Sequence, residues 1–412
     1  MTAFPELGPV IRLKDLYGLM DATRYARLVL VQSLLRGQKA EAEGVALLKD
    51  ALDRLRLVPG PDGQAVRDFH AERSLQLTET RSVSVVLSYE IGELERDILF
   101  LEQGEQALLE RIETEHPGVL DQAREVADTL DGLRFRTLIS DRDGTVNNYC
   151  GRYGTSTQSA YNAVFLARFA GSRVDHPILL TSAPLDNGGI VDISTTPPGS
   201  FVFAASKGRE FIGLDGEERR KPVPPGKQAL LDKLNGRLKI MLGSPEYETF
   251  GLIGSGLQFK FGQTTVARQD MDGSVESEVS DAFLAKIRDL VAELDPKGEV
   301  FRIEDTGKDI EVLLTVDDTN GEGGARDFDK GDGVRFLAQE LGLDMAQGPH
   351  LVCGDTGSDV PMLEAALDMC DHVYAVYVTQ DEKLADRVKQ VCAGAMIVDR
   401  PDALVVALNM LA

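Results

Sequence analysis

Two short segments of the sequence place carboxylates where they could do chemistry together. LISDRDGTVNN carries Asp141 and Asp143 directly after an apolar run, and LVCGDTGSDVPML carries Asp355 and Asp359 directly after another. Four carboxylates in one crevice would repel each other unless a divalent cation neutralised them. Oxygen ligands of this kind suit Mg²⁺. The sequence therefore predicts a magnesium site formed by these four residues.

The elements that must bring the two segments together are short strands. From residue 133 onward, apolar runs alternate with helical segments, which indicates an α/β fold with a mostly parallel sheet covered on both faces. The carboxyl ends of parallel strands meet at one edge of the sheet, so acids that follow two such strands could converge there. The predicted strands are FRTLIS, HPILLT, SFVFAA, EVLLTV, HLVCGD and HVYAVYV.

Each acidic segment also has a simpler interpretation. D-x-D-G is a common turn sequence. G-D-x-x-x-D after a strand can be a helix N-cap with an acid in the first turn. Because both segments occur in one chain and each follows a strand, we favour the functional interpretation.

The rest of the chain sets limits on function. Residues 1–132 are predicted to be helical, with little strand character and no visible chemistry. The 44 Lys plus Arg against 67 Asp plus Glu give a net charge of −23, which argues against nucleic acid or an anionic membrane as a partner. The sequence has no apolar run of membrane-spanning length and no signal-peptide pattern, so we expect a cytoplasmic protein.

The paired motifs resemble those of the haloacid dehalogenase-like superfamily of phosphotransferases, namely D-x-D-G-T after one strand and G-D-x-x-x-D after another. The resemblance covers about residues 135–412 and implies a Rossmann-like core that uses Mg²⁺. It makes Asp141 the nucleophile that takes the phosphoryl group and Asp143 the general acid and base. The chemistry is consistent with these roles, since one carboxylate can attack phosphorus while another protonates the leaving oxygen.

The resemblance also implies a phosphate-binding hydroxyl and a lysine. In HPILLTSAP, Thr181 and Ser182 follow the apolar run, and either hydroxyl could take the phosphate role. Lys330, in DKGDG, matches the K-G at the start of a helix and would offset negative charge, although a solvated surface lysine is the alternative.

A long insertion separates Ser182 from Lys330, and it resembles the α/β, C2-type cap of the superfamily's sugar phosphatases. We therefore predict a catalytic core over residues 133–182 and 330–412 and a cap over 183–329. A cap of this type would exclude water and select the substrate.

The cap resembles that of trehalose-phosphate phosphatases in GLQFKFGQTTVA, which contains Lys260, and in DIEVLLT, which contains Glu311. TSAP and GDTGSD differ from the corresponding motifs of that group. The run DRDGTVNNYCGRYG and the long helical region resemble instead the glucosylglycerol-phosphate phosphatases of compatible-solute synthesis and salt tolerance. That resemblance predicts glucosylglycerol 3-phosphate as the substrate, supplied by a glycosyltransferase.

Further substrate contacts are predicted near the nucleophile and in the cap. Asn147 and Arg152 could meet the leaving-group side of the substrate or could simply form the flap. Lys207, Arg209 and Glu210 could bind sugar hydroxyls or could be solvated charges.

Three other functions stay open from the sequence. One is a phosphatase for trehalose 6-phosphate or another sugar phosphate. The second is a sugar phosphomutase, which shares D-x-D-G-T and a similar cap. The third is a non-catalytic protein whose helical region binds a partner.

Overall fold

The computed structural model describes residues 4–78, 81–271, 273–317 and 325–412. The helices of these ranges, α1 to α13 in chain order, are Leu13–Leu35, Ala42–Arg56, Ser88–Gln103, Glu105–Glu115, Val119–Leu130, Ala160–Arg173, Ile190–Ile193, Pro225–Leu242, Ser277–Leu294, Lys330–Glu340, Val360–Leu367, Glu382–Val391 and Pro401–Met410. The strands, β1 to β16, are Glu72–Gln76, Ser82–Val86, Phe135–Ser140, Val174–Leu180, Val202–Ala205, Glu210–Ile212, Glu218–Arg220, Leu257–Lys260, Gln263–Ala267, Phe301–Asp305, Asp309–Leu314, Val316–Asp317, Ala325–Arg326, His350–Gly354, Val373–Val378 and Met396–Val398.

The main sheet has the strand order β16-β15-β14-β3-β4-β5-β6-β7. The strands from β16 to β5 run parallel, and β6 and β7 continue the sheet antiparallel. Alternate residues of β3 serve opposite faces: Leu138 packs with α5, α6 and α13, whereas Ile139 packs with α10 and α11. The predicted α/β fold with a mostly parallel, doubly covered sheet is therefore confirmed.

A second sheet, with the antiparallel order β10-β11-β9-β8, is covered by α8 and α9. Phe283 and Ile287 of α9 are buried against Val266 and Val312 of the sheet. We call this unit, residues 225–314, the cap. We had predicted that the cap begins at residue 183, but β5 to β7 belong to the core sheet, because the buried run Val202–Ala205 pairs with β4.

The N-terminal region contains the predicted helices and also a hairpin, β1–β2, that we did not predict. Its residues alternate between exposed and buried, with Leu75, Val83 and Val85 packed beneath the helices. The strands are short, their exposed residues are polar, and the neighbouring segments are helical, so the sequence pattern did not reveal the two-residue period. Gly104, with φ of 89°, separates α3 from α4.

The N-terminal region packs against both other parts of the molecule. Leu108 and Ile112 of α4 and Val126 of α5 belong to the same hydrophobic cluster as one face of the main sheet. On the cap side, the Tyr17 hydroxyl donates to the carbonyl of Leu252 (2.8 Å), and Arg81 donates to the Thr249 hydroxyl (3.0 Å).

Among the described residues, no helix is both long enough and apolar enough to cross a membrane.

Candidate active site

Three neighbouring strands of the main sheet end at the same edge and deliver the predicted acids there. Asp141 follows β3, Asp355 follows β14, and Thr181 follows β4, and β3 lies between the other two. The amide of Asp141 donates to the carbonyl of Cys353 (3.0 Å), which extends the pairing of β3 with β14 into the site. The expected convergence of the strand ends is confirmed.

Lys330 joins two of these acids through its ammonium group. Its Nζ lies 2.5 Å from Asp141 Oδ1 and 2.5 Å from Asp359 Oδ1, and only 3% of Lys330 is exposed. Asp359 is fixed in turn by the backbone amides of Asp355 (3.1 Å) and Thr356 (2.9 Å), which donate to Oδ2. The lysine is thus buried and paired with two acids rather than solvated, and its catalytic role stays a prediction.

A capping box fixes where α10 begins and so positions Lys330. Lys330 is the first residue of α10; the Asp329 side chain accepts from the amide of Asp332 (2.9 Å), and the Asp332 side chain accepts from the amide of Asp329 (3.1 Å). This arrangement satisfies free amides of the first turn and fixes where the helix starts. Gly333, in the first turns of α10, lets the loop of residues 206–208 approach the helix closely, since an added Cβ would lie 2.1 Å from the Lys207 carbonyl oxygen.

Ligand oxygens of Asp141, Asp355 and Asp359 lie within 4.8 Å of one another. Burial raises the pKa of Asp141 to about 7, with Lys330 opposing and Asp359 adding to the rise. Burial also raises the pKa of Asp355 to about 8, and its two acidic neighbours add to the effect. One ammonium group therefore does not balance three carboxylates, and an all-oxygen, electron-rich site of this kind fits a divalent cation such as Mg²⁺.

The carboxylate of Asp143 lies apart from that three-acid group, although it lines the same cavity. It is paired with Arg142, and the Ser156 hydroxyl donates to its Oδ1 (2.9 Å). Within the described chain, the side chains of three of the four predicted metal ligands are thus brought together. The ligand role of Asp143 stays a prediction.

Gly144 allows the two motifs to meet. Its φ is +89°, and an added Cβ would lie 2.1 Å from Asp355 Oδ2, so any side chain here would displace the acid. The Thr145 hydroxyl then bridges the motifs by donating to Asp141 Oδ2 (3.3 Å) and Asp355 Oδ1 (3.2 Å).

A cavity of about 300 Å³ lies between these acids and the cap. Thr181 and Ser182 both line it, so the structure does not choose between the two candidate hydroxyls. Charged residues from both parts of the molecule also line the cavity. The core contributes Asp141, Asp143, Lys330 and Asp355, and the cap contributes Lys260, Asp270, Lys308 and Asp309.

Of the predicted cap contacts, Lys260 lines the cavity, where burial lowers its pKa and the charges of Glu311 and Asp309 oppose the change. Glu311 lies on β11 opposite Thr265, a cavity residue, without being part of the cavity wall itself.

Lys207, Arg209 and Glu210 lie outside the wall of this cavity. Arg209 donates from Nη1 to the carbonyl of Gly262 (2.6 Å) and from Nη2 to that of Leu314 (3.3 Å), so it fastens the core to the cap sheet. Glu210 accepts from the Ser206 hydroxyl (2.7 Å). The contacts of Arg209 and Glu210 are structural, as expected of buried polar groups.

Asn147 and Arg152 point towards the N-terminal region. Asn147 Nδ2 donates to the Tyr89 hydroxyl (3.1 Å), and Arg152 Nη2 donates to the carbonyl of Val86 (2.5 Å). Both are buried, and neither lines the cavity described above. Their contacts favour the flap interpretation over direct substrate contact.

The sequence analysis missed three charged cavity residues, Asp270, Lys308 and Asp309. Lys308 Nζ donates to the carbonyl of Asp270 (2.5 Å), and Asp309 accepts from the Ser255 hydroxyl. Burial raises the pKa of Asp309. Lys308 and Asp309 could have been found from the turn sequence DTGKD between β10 and β11, which places them at the end of the cap sheet.

Comparison with known families gives the chain's relationships. A model described as "Trehalose-6-phosphate phosphatase, C-terminal" matches residues 138–404, and one described as "Trehalose-6-phosphate phosphatase N-terminal helical bundle domain" matches residues 12–116. The chain belongs to the trehalose-6-phosphate phosphatase family. This family is part of the haloacid dehalogenase-like superfamily that the motifs resemble.

Sequence identity to individual relatives and to solved structures is low. A trehalose-phosphatase of Brugia malayi is 28% identical over 96% of this chain and 85% of its own length. The α,α-trehalose-phosphate synthase [UDP-forming] 2 of Aphelenchoides avenae is 32% identical over 92% of this chain, which spans only 30% of that protein. Among solved structures, the trehalose-6-phosphate phosphatase of Aspergillus fumigatus has 17% identity and a TM-score of 0.40, over 71% of this chain and 96% of its own.

Proposed function

We propose that the chain is a Mg²⁺-dependent phosphatase that hydrolyses trehalose 6-phosphate. The observation that supports it best is one cavity in which Asp141, Lys330 and Asp355 of the core face Lys260 and Lys308 of the cap. A phosphate monoester needs cationic groups and a nucleophile at one end, and a sugar needs polar groups at the other.

In the proposed reaction, a carboxylate oxygen of Asp141 attacks phosphorus, and the bond from phosphorus to the sugar oxygen breaks. Asp143 gives its proton to the leaving sugar oxygen. Water then attacks the aspartyl phosphate, Asp143 takes a proton from that water, and inorganic phosphate leaves while the Asp141 carboxylate is restored.

Lys330 holds Asp141 through its ammonium group and offsets the negative charge brought by the phosphate. Asp141, Asp355 and Asp359 are the side chains that would hold Mg²⁺. When bound, the ion neutralises the excess acid charge and polarises the phosphate oxygens.

The proposed substrate follows the family. Both family models are named for trehalose 6-phosphate, and they match the helical region as well as the catalytic part. The glucosylglycerol 3-phosphate that we expected from the flap sequence, and with it a role in salt tolerance, finds no such support. Trehalose 6-phosphate, our alternative, is the better supported substrate.

Phosphate release from a panel of esters tests the proposal. Trehalose 6-phosphate is expected to give the highest kcat/KM in Mg²⁺, above glucosylglycerol 3-phosphate and sucrose 6-phosphate. A preference for glucosylglycerol 3-phosphate would restore the earlier expectation. Isomerised sugar phosphate without phosphate release would indicate a mutase, and no turnover of any ester would contradict an enzymatic role.

We further propose that the substrate is supplied by a glycosyltransferase. Support comes from relatives named UDP-forming α,α-trehalose-phosphate synthases, which contain a segment similar to this chain.

A further inference from the structure

Helix α3 of the N-terminal region reaches the loop that carries Asp143. Glu90, which is fully buried on α3, accepts from the Thr155 hydroxyl (2.7 Å) and from Arg152 Nη2 (3.3 Å) through the same oxygen, Oε1. We call residues 143–157 the flap segment. Glu90 thus binds two side chains at the far end of this segment.

The residue after Thr155 holds Asp143. Ser156 donates its hydroxyl to Asp143 Oδ1 (2.9 Å), and its carbonyl accepts from Arg142 Nη2 (2.5 Å). Arg142 is also paired with Asp143. A shift of the backbone at Thr155 therefore moves both groups that orient the carboxylate of Asp143.

A second residue of the same helix contacts the flap segment near both of its ends. The Tyr89 hydroxyl donates to the carbonyl of Thr157 (3.2 Å) and accepts from Asn147 Nδ2 (3.1 Å). The helix itself is fixed to the core, because Asp97 accepts from the amides of Ala160 (2.7 Å) and Tyr161 (3.2 Å) at the start of α6. Neighbouring residues of one anchored helix therefore hold the flap segment at several points.

We propose that Glu90 is a positioning residue for Asp143, so that the N-terminal region completes the acid–base part of the active site. This inference rests on the role proposed for Asp143. It explains why a helical region with no chemistry of its own is packed directly against the flap segment. A Glu90 that only stabilised the fold would lower the amount of active protein without changing which esters are cleaved.

The test compares the variant Glu90→Gln on phenyl phosphate and p-nitrophenyl phosphate in Mg²⁺. Phenolate is a poor leaving group that needs a proton, whereas p-nitrophenolate leaves without one. General acid catalysis contributes about 10²–10⁴-fold, so a misplaced Asp143 is expected to lower kcat/KM by about 10- to 100-fold for phenyl phosphate. For p-nitrophenyl phosphate the expected loss is below about threefold. An equal loss for both esters would overturn the proposal.

Coupling to Asp143 gives a second readout. In an Asp143→Asn background, Glu90→Gln is expected to cause no further change in the ratio of the two kcat/KM values, because both changes act on the same proton transfer. A further, additive change in that ratio would contradict the proposal. Thr155→Val, which removes the donor to Glu90, is expected to reproduce the selective loss and decides the question if Glu90→Gln does not fold.

Glu95→Gln is the matched control. It makes the same substitution on the same helix, but Glu95 pairs with Arg56 and Arg111 and, among the described residues, forms no hydrogen bond or ion pair with the flap segment. It is expected to leave both kcat/KM values within about twofold of wild type, since such partly exposed pairs contribute little; a selective loss like that of Glu90→Gln would contradict the proposal. A wild-type enzyme that cleaves aryl phosphates but not trehalose 6-phosphate would overturn the proposed substrate and leave this inference standing.

Discussion

At the scale of single residues, the site is defined by a charge imbalance. Three carboxylates lie close together, one buried ammonium group pairs with two of them, and the pKa values of Asp141 and Asp355 are raised. The sequence predicted these acids because the two segments that carry them each follow an apolar strand, and strand ends are where α/β sheets bind ligands. It did not predict that Arg209 fastens the core to the cap sheet, because a buried anchor and a ligand-binding arginine look alike in a sequence.

Asp141→Asn is expected to abolish turnover, because an amide cannot act as the nucleophile that accepts the phosphoryl group. The fold should survive, since the amide is nearly isosteric with the carboxylate. Steady-state phosphate release and circular dichroism check this. Activity above about a thousandth of wild type in a preparation free of wild-type enzyme would refute the nucleophile role, since loss of such a group typically costs more than 10³-fold.

Mg²⁺ is expected to stabilise the folded protein, because an ion that binds only the native state shifts the unfolding equilibrium. EDTA should abolish phosphate release and return the Tm to its metal-free value. Asp355→Asn removes one of the repelling charges, so the metal-free variant is expected to melt higher than metal-free wild type and to show a smaller shift on adding Mg²⁺. Calorimetry with and without Mg²⁺ measures both effects, and identical Mg²⁺ shifts in the two proteins would argue against Asp355 as a ligand.

At the scale of elements, the sequence predicted the long helices and the buried strands and failed where local patterns are short or mixed. The hairpin β1–β2 carries polar side chains on its exposed face, and β5 to β7 lie in a stretch that reads as an insertion. Which sheet a short strand joins depends on the partners that its backbone finds. Tertiary contacts therefore decide which sheet the strand joins, and the residue pattern of the strand alone does not contain that information.

The start of α10 links an element to the site. Asp329→Ala is expected to cost about 1 kcal/mol of stability, because it removes the side chain that caps the helix. Since Lys330 is the next residue, kcat should fall while KM changes less. Asp329→Asn keeps an N-cap acceptor and is the control. Chemical denaturation measures the change in stability, and steady-state kinetics measure the change in kcat. An unchanged kcat in Asp329→Ala would mean that the N-cap of α10 does not control the position of Lys330.

At the scale of the whole molecule, the net charge of −23 opposes an anionic substrate. The cavity wall carries Lys260, Lys308 and Lys330 against five carboxylates, so the lysines reduce the local negative charge and a bound cation is needed to reverse it. The N-terminal region and the core also share a hydrophobic interior: α4 and α5 pack in the same cluster as the main sheet. The N-terminal region is therefore not an independent appendage.

Removal of residues 1–132 is expected to prevent stable folding of the rest, because it uncovers the face of the sheet on which Leu108, Ile112 and Val126 pack. The truncated chain should be aggregated or lack a cooperative thermal transition by circular dichroism. A monomeric truncated chain that melts cooperatively and keeps wild-type kcat would contradict both this expectation and the role given to Glu90.

The two hydrogen bonds from Tyr17 and Arg81 to the cap limit how the enzyme can open. Any hinge motion that swings the cap away from the core must either break the contacts at Leu252 and Thr249 or carry the N-terminal helices with it. In the second case the same rigid movement would pull on the flap segment through α3. Opening for product release and loosening of the acid–base group would then be one mechanical event.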